Sequence, residues 1–158
     1  MHCFTYTEFD SYLELEIHDQ NLLLEAGRSA HSAYAPYSHF KVGSAVILSD
    51  GTVITGNNQE NMAFPSGLCA ERVALFSAAA NHPQVPVVAI AITAKSDDFP
   101  VEDPVTPCGS CRQSLIEYEN HQGSPIRLIL GCEKGKVLVV ERVGDLLPLS
   151  FNGEKLKK

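Results

Sequence analysis

Three cysteines and one glutamate stand in a pattern that suits a metal site. Cys108 and Cys111 form a Cys-x-x-Cys pair after Pro107, and Cys69 lies upstream with Glu71 two residues after it. The short loop of such a pair lets two sulfurs face one ion, although redox pairs and pairs of buried thiols share the same spacing. Cys69 would complete a set of three thiolates. A catalytic zinc keeps three protein ligands and one open position for water.

Glu71 and Arg72, which follow Cys69, can each be given a chemical role or a purely structural interpretation. An acidic residue such as Glu71 is common in a first helical turn, where it complements the helix dipole. Its carboxylate could also move a proton from water to a ring nitrogen and then to a leaving amine. Three thiolates with Zn²⁺ leave excess negative charge, which Arg72 could offset, although a solvated helix residue is the simpler interpretation.

The other two cysteines, Cys3 and Cys132, lack metal-ligand spacing, and we interpret them as buried or incidental thiols. Five cysteines make an odd number, which argues against a disulfide framework. Two alternatives to an enzyme stay open at this point. A structural zinc domain would need a fourth protein ligand to close the site, and a thiol redox protein would not need Cys69.

Apolar periodicity predicts the elements that position these residues. Helices are expected over residues 15–34, closed by Pro36, and over 69–80 and 108–120. Strands are expected over 42–48, 52–55, 85–94, 126–130 and 136–142, with a loose edge strand over 3–9. This order predicts an α/β fold, a three-layer α/β/α sandwich with a mixed sheet. It also places the three cysteines at helix starts, where the dipole favours thiolate.

Composition excludes several classes of function. The 158 residues fit one domain, and the net charge of −7 disfavours binding to a nucleic acid strand. The lysine cluster is confined to Lys155, Lys157 and Lys158. No apolar run approaches the roughly 20 residues that cross a bilayer, so we expect no membrane partner. The first residues lack the basic flank and apolar block of a signal peptide, which makes the cytoplasm the expected location.

Five ordered segments resemble the cytidine deaminase family in its compact three-cysteine form. They are residues 34–43 (YAPYSHFKVG), 56–61 (GNNQEN), 69–72 (CAER), 107–113 (PCGSCRQ) and 146–151 (LLPLSF). The resemblance implies a cytidine deaminase-like domain over 18–151. It leaves an N-terminal extension over 1–17, a possible edge strand, and a short tail over 152–158.

The resemblance implies a metal and catalytic set. One Zn²⁺ per chain would be held by Cys69, Cys108 and Cys111, and Glu71 would be the catalytic proton shuttle. Two residues, Arg72 and Gln113, would donate hydrogen bonds to the thiolate sulfurs.

It also implies a substrate-binding set. Asn58 and Glu60 would hold the ribose hydroxyls, and the backbones of Ala70 and Thr106 would contact the pyrimidine carbonyl and the departing amine. Phe40 would pack on base and sugar. Phe151 would reach the active site of a neighbouring subunit in a homotetramer.

Four of these substrate-binding residues also have a purely structural interpretation. Phe40 could be a core aromatic, Phe151 an anchor of the C-terminus, and Asn58 and Glu60 turn and strand-edge residues. The chain also departs from the usual family pattern before Pro65, where Phe64 replaces a tyrosine. Pro-Leu-Ser precedes Phe151 in place of a more common glycine-alanine spacing.

The implied function is hydrolytic deamination of free cytidine and deoxycytidine to uridine and deoxyuridine, with release of ammonia, in pyrimidine salvage. A carboxylate at Glu60 would repel a phosphorylated sugar, which favours nucleosides over nucleotides. A related deaminase of a cytosine-containing antibiotic, such as the blasticidin enzymes, is one alternative. A zinc-stabilised binding domain without turnover is another.

Overall fold

The computed structural model describes residues 3–153 and residue 156, which form one six-stranded sheet flanked by helices. The strands are β1 (Thr7–Phe9), β2 (Phe40–Leu48), β3 (Val53–Asn57), β4 (Val87–Ser96), β5 (Arg127–Leu130) and β6 (Val137–Val140). The helices are α1 (Ile17–Ala30), α2 (Ala70–Asn81) and α3 (Gly109–Gln122). Three single-turn 3₁₀ segments occupy Tyr12–Glu14, Phe64–Ser66 and Val143–Leu146.

The sheet is mixed, as predicted. Its strand order is β1-β6-β5-β4-β2-β3. The β4 and β5 strands pair in parallel, and the other neighbours pair antiparallel. Parallel neighbours need a crossover connection, and α3 supplies it here. The Cys-x-x-Cys pair therefore lies in the crossover between β4 and β5, where α3 begins.

Helices cover both faces of the sheet, which confirms the three-layer prediction. On β2 and β4 the residues alternate between the two faces with the period of two that a pleated strand imposes. On one face, larger apolar side chains pack with α2 and α3; they are Val46, Leu48, Ile90 and Ile92. Alanines at Ala45, Ala89 and Ala91 pack with Leu22, Leu23 and Ala26 of α1. The small side chains let α1 approach the sheet closely.

Helix α1 ends earlier than predicted. The structure ends it at Ala30, with His31 as its C-cap, rather than at Tyr34 before Pro36. The reason is a long-range pairing, because the Tyr34 N–H donates to the Asn58 carbonyl at 3.1 Å. In return, the Glu60 N–H donates to the Tyr34 carbonyl at 2.8 Å. This bridge joins the segment after α1 to the segment after β3.

The ends of the chain agree in part with the sequence predictions. The expected edge strand over 3–9 is present only at Thr7–Phe9, where it pairs with β6. Lys155, Lys157 and Lys158 of the predicted tail lie outside the described residues. No helix within the described ranges is both long and apolar enough to cross a membrane.

A buried carboxylate holds the segment after β6 against α3. Glu119, only 4% exposed, accepts hydrogen bonds from the backbone N–H groups of Ile126, Val143 and Gly144 at 2.9–3.1 Å. The Arg142 guanidinium also donates to it at 3.3 Å. A charge buried this deeply is tolerated because these donors satisfy it.

Candidate active site and metal centre

The structure brings Cys69, Cys108 and Cys111 together, as the sequence predicts. Their sulfurs all lie within 4.8 Å of one another, with 3.9 Å between Cys69 and Cys108 and 3.5 Å between Cys108 and Cys111. A tetrahedral zinc with Zn–S bonds of about 2.3 Å separates its sulfur ligands by roughly 3.8 Å. The three sulfurs are therefore spaced to hold one such ion.

Helix starts supply all three thiols. Cys69 is the N-cap of α2, Cys108 is the N-cap of α3, and Cys111 lies in the first turn of α3. Unpaired N–H groups and the positive end of the helix dipole lie at these positions, so they favour thiolate over thiol. Two different helices must therefore begin at the same place to build the cluster.

Charge and hydrogen bonding favour thiolate at Cys69. Its pKa is lowered to about 5 because the Cys111 thiol hydrogen-bonds to it, and Arg72 adds to this effect. The Arg72 Nη2 lies 3.7 Å from the Cys69 sulfur. The hydrogen bond with Cys69, together with burial, raises the pKa of Cys111. Arg72 is therefore directed at the cluster rather than at solvent, as the family resemblance implies.

Glu71 is buried beside the thiols. Its side chain is 5% exposed, and burial is the main cause that raises the pKa of its carboxyl, with the charge of Cys69 acting in the same direction. A carboxyl group whose pKa is raised above its ordinary value suits general acid–base chemistry. Glu71 lies in the first turn of α2, as both of its interpretations require, and its side chain is buried there.

A glycine on β3 lets the first turn of α2 come close to the sheet. A Cβ built on Gly56 would lie 2.4 Å from the Ala74 nitrogen and 2.7 Å from the Ala70 carbonyl oxygen. Only glycine fits at this contact without moving the helix. The position of the turn that carries Cys69 and Glu71 therefore depends on a residue about 13 positions upstream.

The predicted sugar-binding residues Asn58 and Glu60 support the neighbouring loop and strand. The Asn58 side chain accepts from the Val42 N–H at 2.8 Å and donates to the Phe40 carbonyl at 2.9 Å. The Glu60 carboxylate accepts from the Tyr37 N–H at 2.8 Å. It also accepts from the Ser38 hydroxyl, which lowers the pKa of Glu60 and keeps it ionised.

The predicted base-binding positions flank the metal cluster. Ala70 is fully buried directly after Cys69, and Thr106 is exposed two residues before Cys108. Phe40 is half-buried at the first position of β2, next to the carbonyl that Asn58 binds. Sequence reasoning missed its ring partner, Phe99, which no local pattern indicates.

Gln113 is bonded differently from the prediction. Its amide nitrogen donates to the Phe151 carbonyl at 3.0 Å, and the Phe151 N–H donates to its amide oxygen at 3.2 Å. The amide therefore binds the backbone of the C-terminal segment instead of a thiolate sulfur. The physical reason is that this segment passes the start of α3 with polar backbone groups that need partners.

Arg112 is a second residue that sequence reasoning left without a role. Its Nε donates to the Pro107 carbonyl at 2.9 Å, and its Nη1 donates to the Leu146 carbonyl at 3.1 Å. It therefore links the residue before Cys108 to the C-terminal segment. The signal was its place in the motif of residues 107–113, directly after Cys111.

A sizeable cavity lies elsewhere on the protein. It has a volume of about 760 Å³ and lies between α1 and the loop that precedes β6, with Arg28, His31, Lys95 and Lys134 among its lining residues. It contains none of the predicted site residues. The thiol cluster is instead at the surface, since Cys108 is exposed in this single chain.

Comparisons with known proteins agree with this geometry. A family model described as the cytidine and deoxycytidylate deaminase zinc-binding region matches residues 16–122. The matched region includes every predicted site residue except Phe151. More than half of the chain is covered by this match.

Relatives and solved structures give the same picture. Cytidine deaminase of Halalkalibacterium halodurans is 39% identical over 137 residues, which cover 87% of this chain and 96% of that protein. Cytidine deaminase of Mycobacterium tuberculosis is 35% identical over 141 residues, covering 89% and 95%. The crystal structure of cytidine deaminase from Burkholderia pseudomallei has a TM-score of 0.73 at 39% identity, covering 87% of this chain and 100% of that one.

Proposed function

This chain belongs to the cytidine deaminase family, and on that premise we propose that it deaminates free cytidine and deoxycytidine to uridine and deoxyuridine. Ammonia is the second product, and pyrimidine salvage is the process that such a reaction serves. The observation that carries the proposal is the buried Glu71 carboxyl beside three sulfurs that lie within 4.8 Å of one another.

Zinc fits the donor set. The Cys108 sulfur lies 3.9 Å from the Cys69 sulfur and 3.5 Å from the Cys111 sulfur. This set of three thiols at helix starts matches a zinc site with three protein ligands and one open position. Cys132 bonds to the carbonyls of Glu102 and Lys136, away from this cluster, so it does not close the site as a fourth ligand. When bound, zinc would lower the pKa of water and supply the nucleophile.

Glu71 performs the proton transfers in this proposal. Its carboxylate takes a proton from the attacking water and delivers it to N3 of the cytosine ring as the new C4–O bond forms. The remaining water proton, now on the C4 hydroxyl, then passes through Glu71 to the exocyclic nitrogen; the C4–N bond breaks, the C4 carbonyl forms, and ammonia leaves. Burial of Glu71 supports this role, because a raised pKa favours a carboxyl group that both accepts and donates.

Arg72 and the helix starts hold the thiolates in their charged form. Arg72 donates to the Cys69 sulfur and offsets the excess negative charge of three thiolates around a divalent cation. The backbones of Ala70 and Thr106 flank the cluster and would orient the pyrimidine. Phe40 would pack against its ring.

Glu60 favours nucleosides over nucleotides. Its carboxylate is ionised and lies beside Tyr37 and Ser38, at the end of the site where Asn58 would bind the sugar. A 5′-phosphate brought near this carboxylate would be repelled, and the net charge of −7 adds to that repulsion. A neutral nucleoside meets no such barrier.

A homotetramer with shared active sites completes the proposal. Several large apolar side chains are more than two-thirds exposed in the single chain: Met62, Phe64, Leu149 and Phe151. Exposed apolar surface of this kind supports contact between subunits. Phe151 would then enter the site of a neighbour. We place the enzyme in the cytoplasm, where its five free cysteines stay reduced.

The test is the ultraviolet absorbance of cytidine over time with purified, zinc-loaded protein, with the product identified by chromatography. Conversion of cytidine and deoxycytidine, with cytidine 5′-monophosphate converted at least tenfold more slowly, is the expected result for one close like-charge contact. Conversion of a cytosine-containing antibiotic but not of cytidine would overturn the substrate assignment. No turnover with zinc bound would indicate a binding domain instead.

A further inference from the structure

The Phe40 ring has an aromatic partner from a distant part of the chain. The rings of Phe40 and Phe99 stack with their centroids 6.1 Å apart and 20° between their planes. Phe99 lies three residues after the end of β4, and it is 53% exposed. An aromatic side chain that is half in water and stacked on one other ring contributes little to a core, so its effect is local to Phe40.

The residues on both sides of Phe40 are bound to the two residues before Phe99. The Lys41 ammonium lies 2.6 Å from an Asp97 carboxylate oxygen. The His39 ring nitrogen lies 3.1 Å from an Asp98 carboxylate oxygen. Segments 39–41 and 97–99 therefore face each other through three consecutive side-chain contacts.

These contacts continue the pairing of β2 with β4 past the end of β4. The sheet register places Phe40 opposite Ser96 and Lys41 opposite Lys95. Beyond it, the Asp97 N–H still reaches the His39 carbonyl at 3.4 Å. Exposed ion pairs of this kind add little to global stability, so their consequence is to fix the local geometry.

His39 has an unusual backbone conformation. Its φ of 53° lies in the left-handed region, which a residue with a Cβ rarely adopts. The conformation is held from both sides, because the His39 N–H donates to the Ala35 carbonyl at 3.1 Å and its side chain binds Asp98. Strained residues of this kind persist where their surroundings hold them, and they cluster at ligand-binding positions.

We infer that Phe99 is a positioning residue that holds the Phe40 ring in place for the nucleoside. The Phe40 main chain is fixed by Asn58, its flanking residues are fixed by Asp97 and Asp98, and its ring is fixed by Phe99. Fixing a binding ring before the ligand arrives removes the cost of ordering it on binding. Phe99 therefore sets substrate affinity rather than the rate of the chemical step. This inference rests on the proposed function, because it gives Phe40 the role of packing on base and sugar.

The experiment compares full-length, zinc-loaded variants with cytidine as substrate. Phe99→Ala should raise KM about 3- to 10-fold and change kcat by less than about twofold, which corresponds to the loss of one aromatic pair. Phe99→Tyr keeps a ring at this position and should restore KM. The control is Phe4→Ala, because Phe4 contacts the Tyr6 ring at a centroid distance of 5.8 Å and is 47% exposed, close to the 53% of Phe99; KM should not change.

A double-mutant cycle separates positioning from general damage. In a Phe40→Ala background, Phe99→Ala should have no further effect on kcat/KM, because the ring it positions is absent. An unchanged KM in Phe99→Ala, or full additivity with Phe40→Ala, would overturn the inference while the parent enzyme stays active. A zinc-loaded parent that does not deaminate cytidine would overturn the proposed function itself.

Discussion

Gln113 and Phe151 exchange two hydrogen bonds, one in each direction, at 3.0 and 3.2 Å. Gln113 lies two residues after Cys111, so the helix that carries two of the thiols also holds the C-terminal segment of the same chain. The Phe151 ring remains 70% exposed, and its backbone alone is fixed. The anchoring and the subunit-contact interpretations of Phe151 are therefore compatible.

We expect Gln113→Ala to release this segment without loss of metal. Each lost hydrogen bond corresponds to about 0.5–1.5 kcal/mol, so faster hydrogen exchange at the Phe151 amide is the expected result. Metal content by elemental analysis should stay at the parent value. The control is Ser114→Ala, since that hydroxyl bonds only within its helix, to the Ser110 carbonyl. A loss of zinc in Gln113→Ala would instead support the predicted bond to a thiolate.

Glu71→Gln should bind zinc and substrate and yet lose nearly all turnover. The amide matches the carboxyl in size and fits the buried position, but it cannot accept and release a proton. A loss of about 10²–10⁴ in kcat is the range expected for a general acid–base group. The measurement combines steady-state kinetics with metal analysis. Turnover near the parent rate with zinc present would remove Glu71 from the mechanism.

Glu119→Gln should lower the stability of the fold and leave kcat unchanged, in contrast to Glu71→Gln. Its carboxylate accepts from three backbone N–H groups and from Arg142, and an amide would direct two hydrogens at these donors. We expect the free energy of unfolding to fall by about 2–4 kcal/mol, because buried donors lose their acceptor. Urea unfolding measures this change. The folded fraction should keep its kcat, and a selective loss of kcat would show that our structural interpretation of Glu119 is wrong.

Gly56→Ala should displace the first turn of α2. The added Cβ would lie 2.4 Å from the Ala74 nitrogen, so the helix must move and Cys69 moves with it. We expect lower zinc content, together with a loss of about 1–3 kcal/mol in the free energy of unfolding. Gly27→Ala is the matched control, because its Cβ meets only a Thr93 methyl at 3.8 Å. That variant should gain about 0.5–1 kcal/mol, as expected for alanine in a helix. Equal stability and metal content in both variants would contradict the close-packing argument.

Much of this protein could be predicted from patterns local in sequence. The alternation along β2 and β4 and the helical spacing of α1, α2 and α3 depend on neighbouring residues, and the predicted layers and mixed sheet are confirmed. The metal cluster was predictable for the same reason, because Cys108 and Cys111 lie in one turn. Cys69 was added because Glu71 follows it and a catalytic zinc needs three ligands.

What only the tertiary structure decided is the partner of each remaining polar or aromatic group. Gln113 binds Phe151 rather than a sulfur, Phe99 stacks on Phe40, and Tyr34 pairs with the segment after β3 instead of extending α1. These pairs join residues 24 to 59 positions apart along the chain. Short-range periodicity carries no information about pairs so far apart in the sequence. It indicates whether a residue is buried, and not which residue it contacts. Partner choice follows from how the helices and strands pack, and packing is a property of the whole chain.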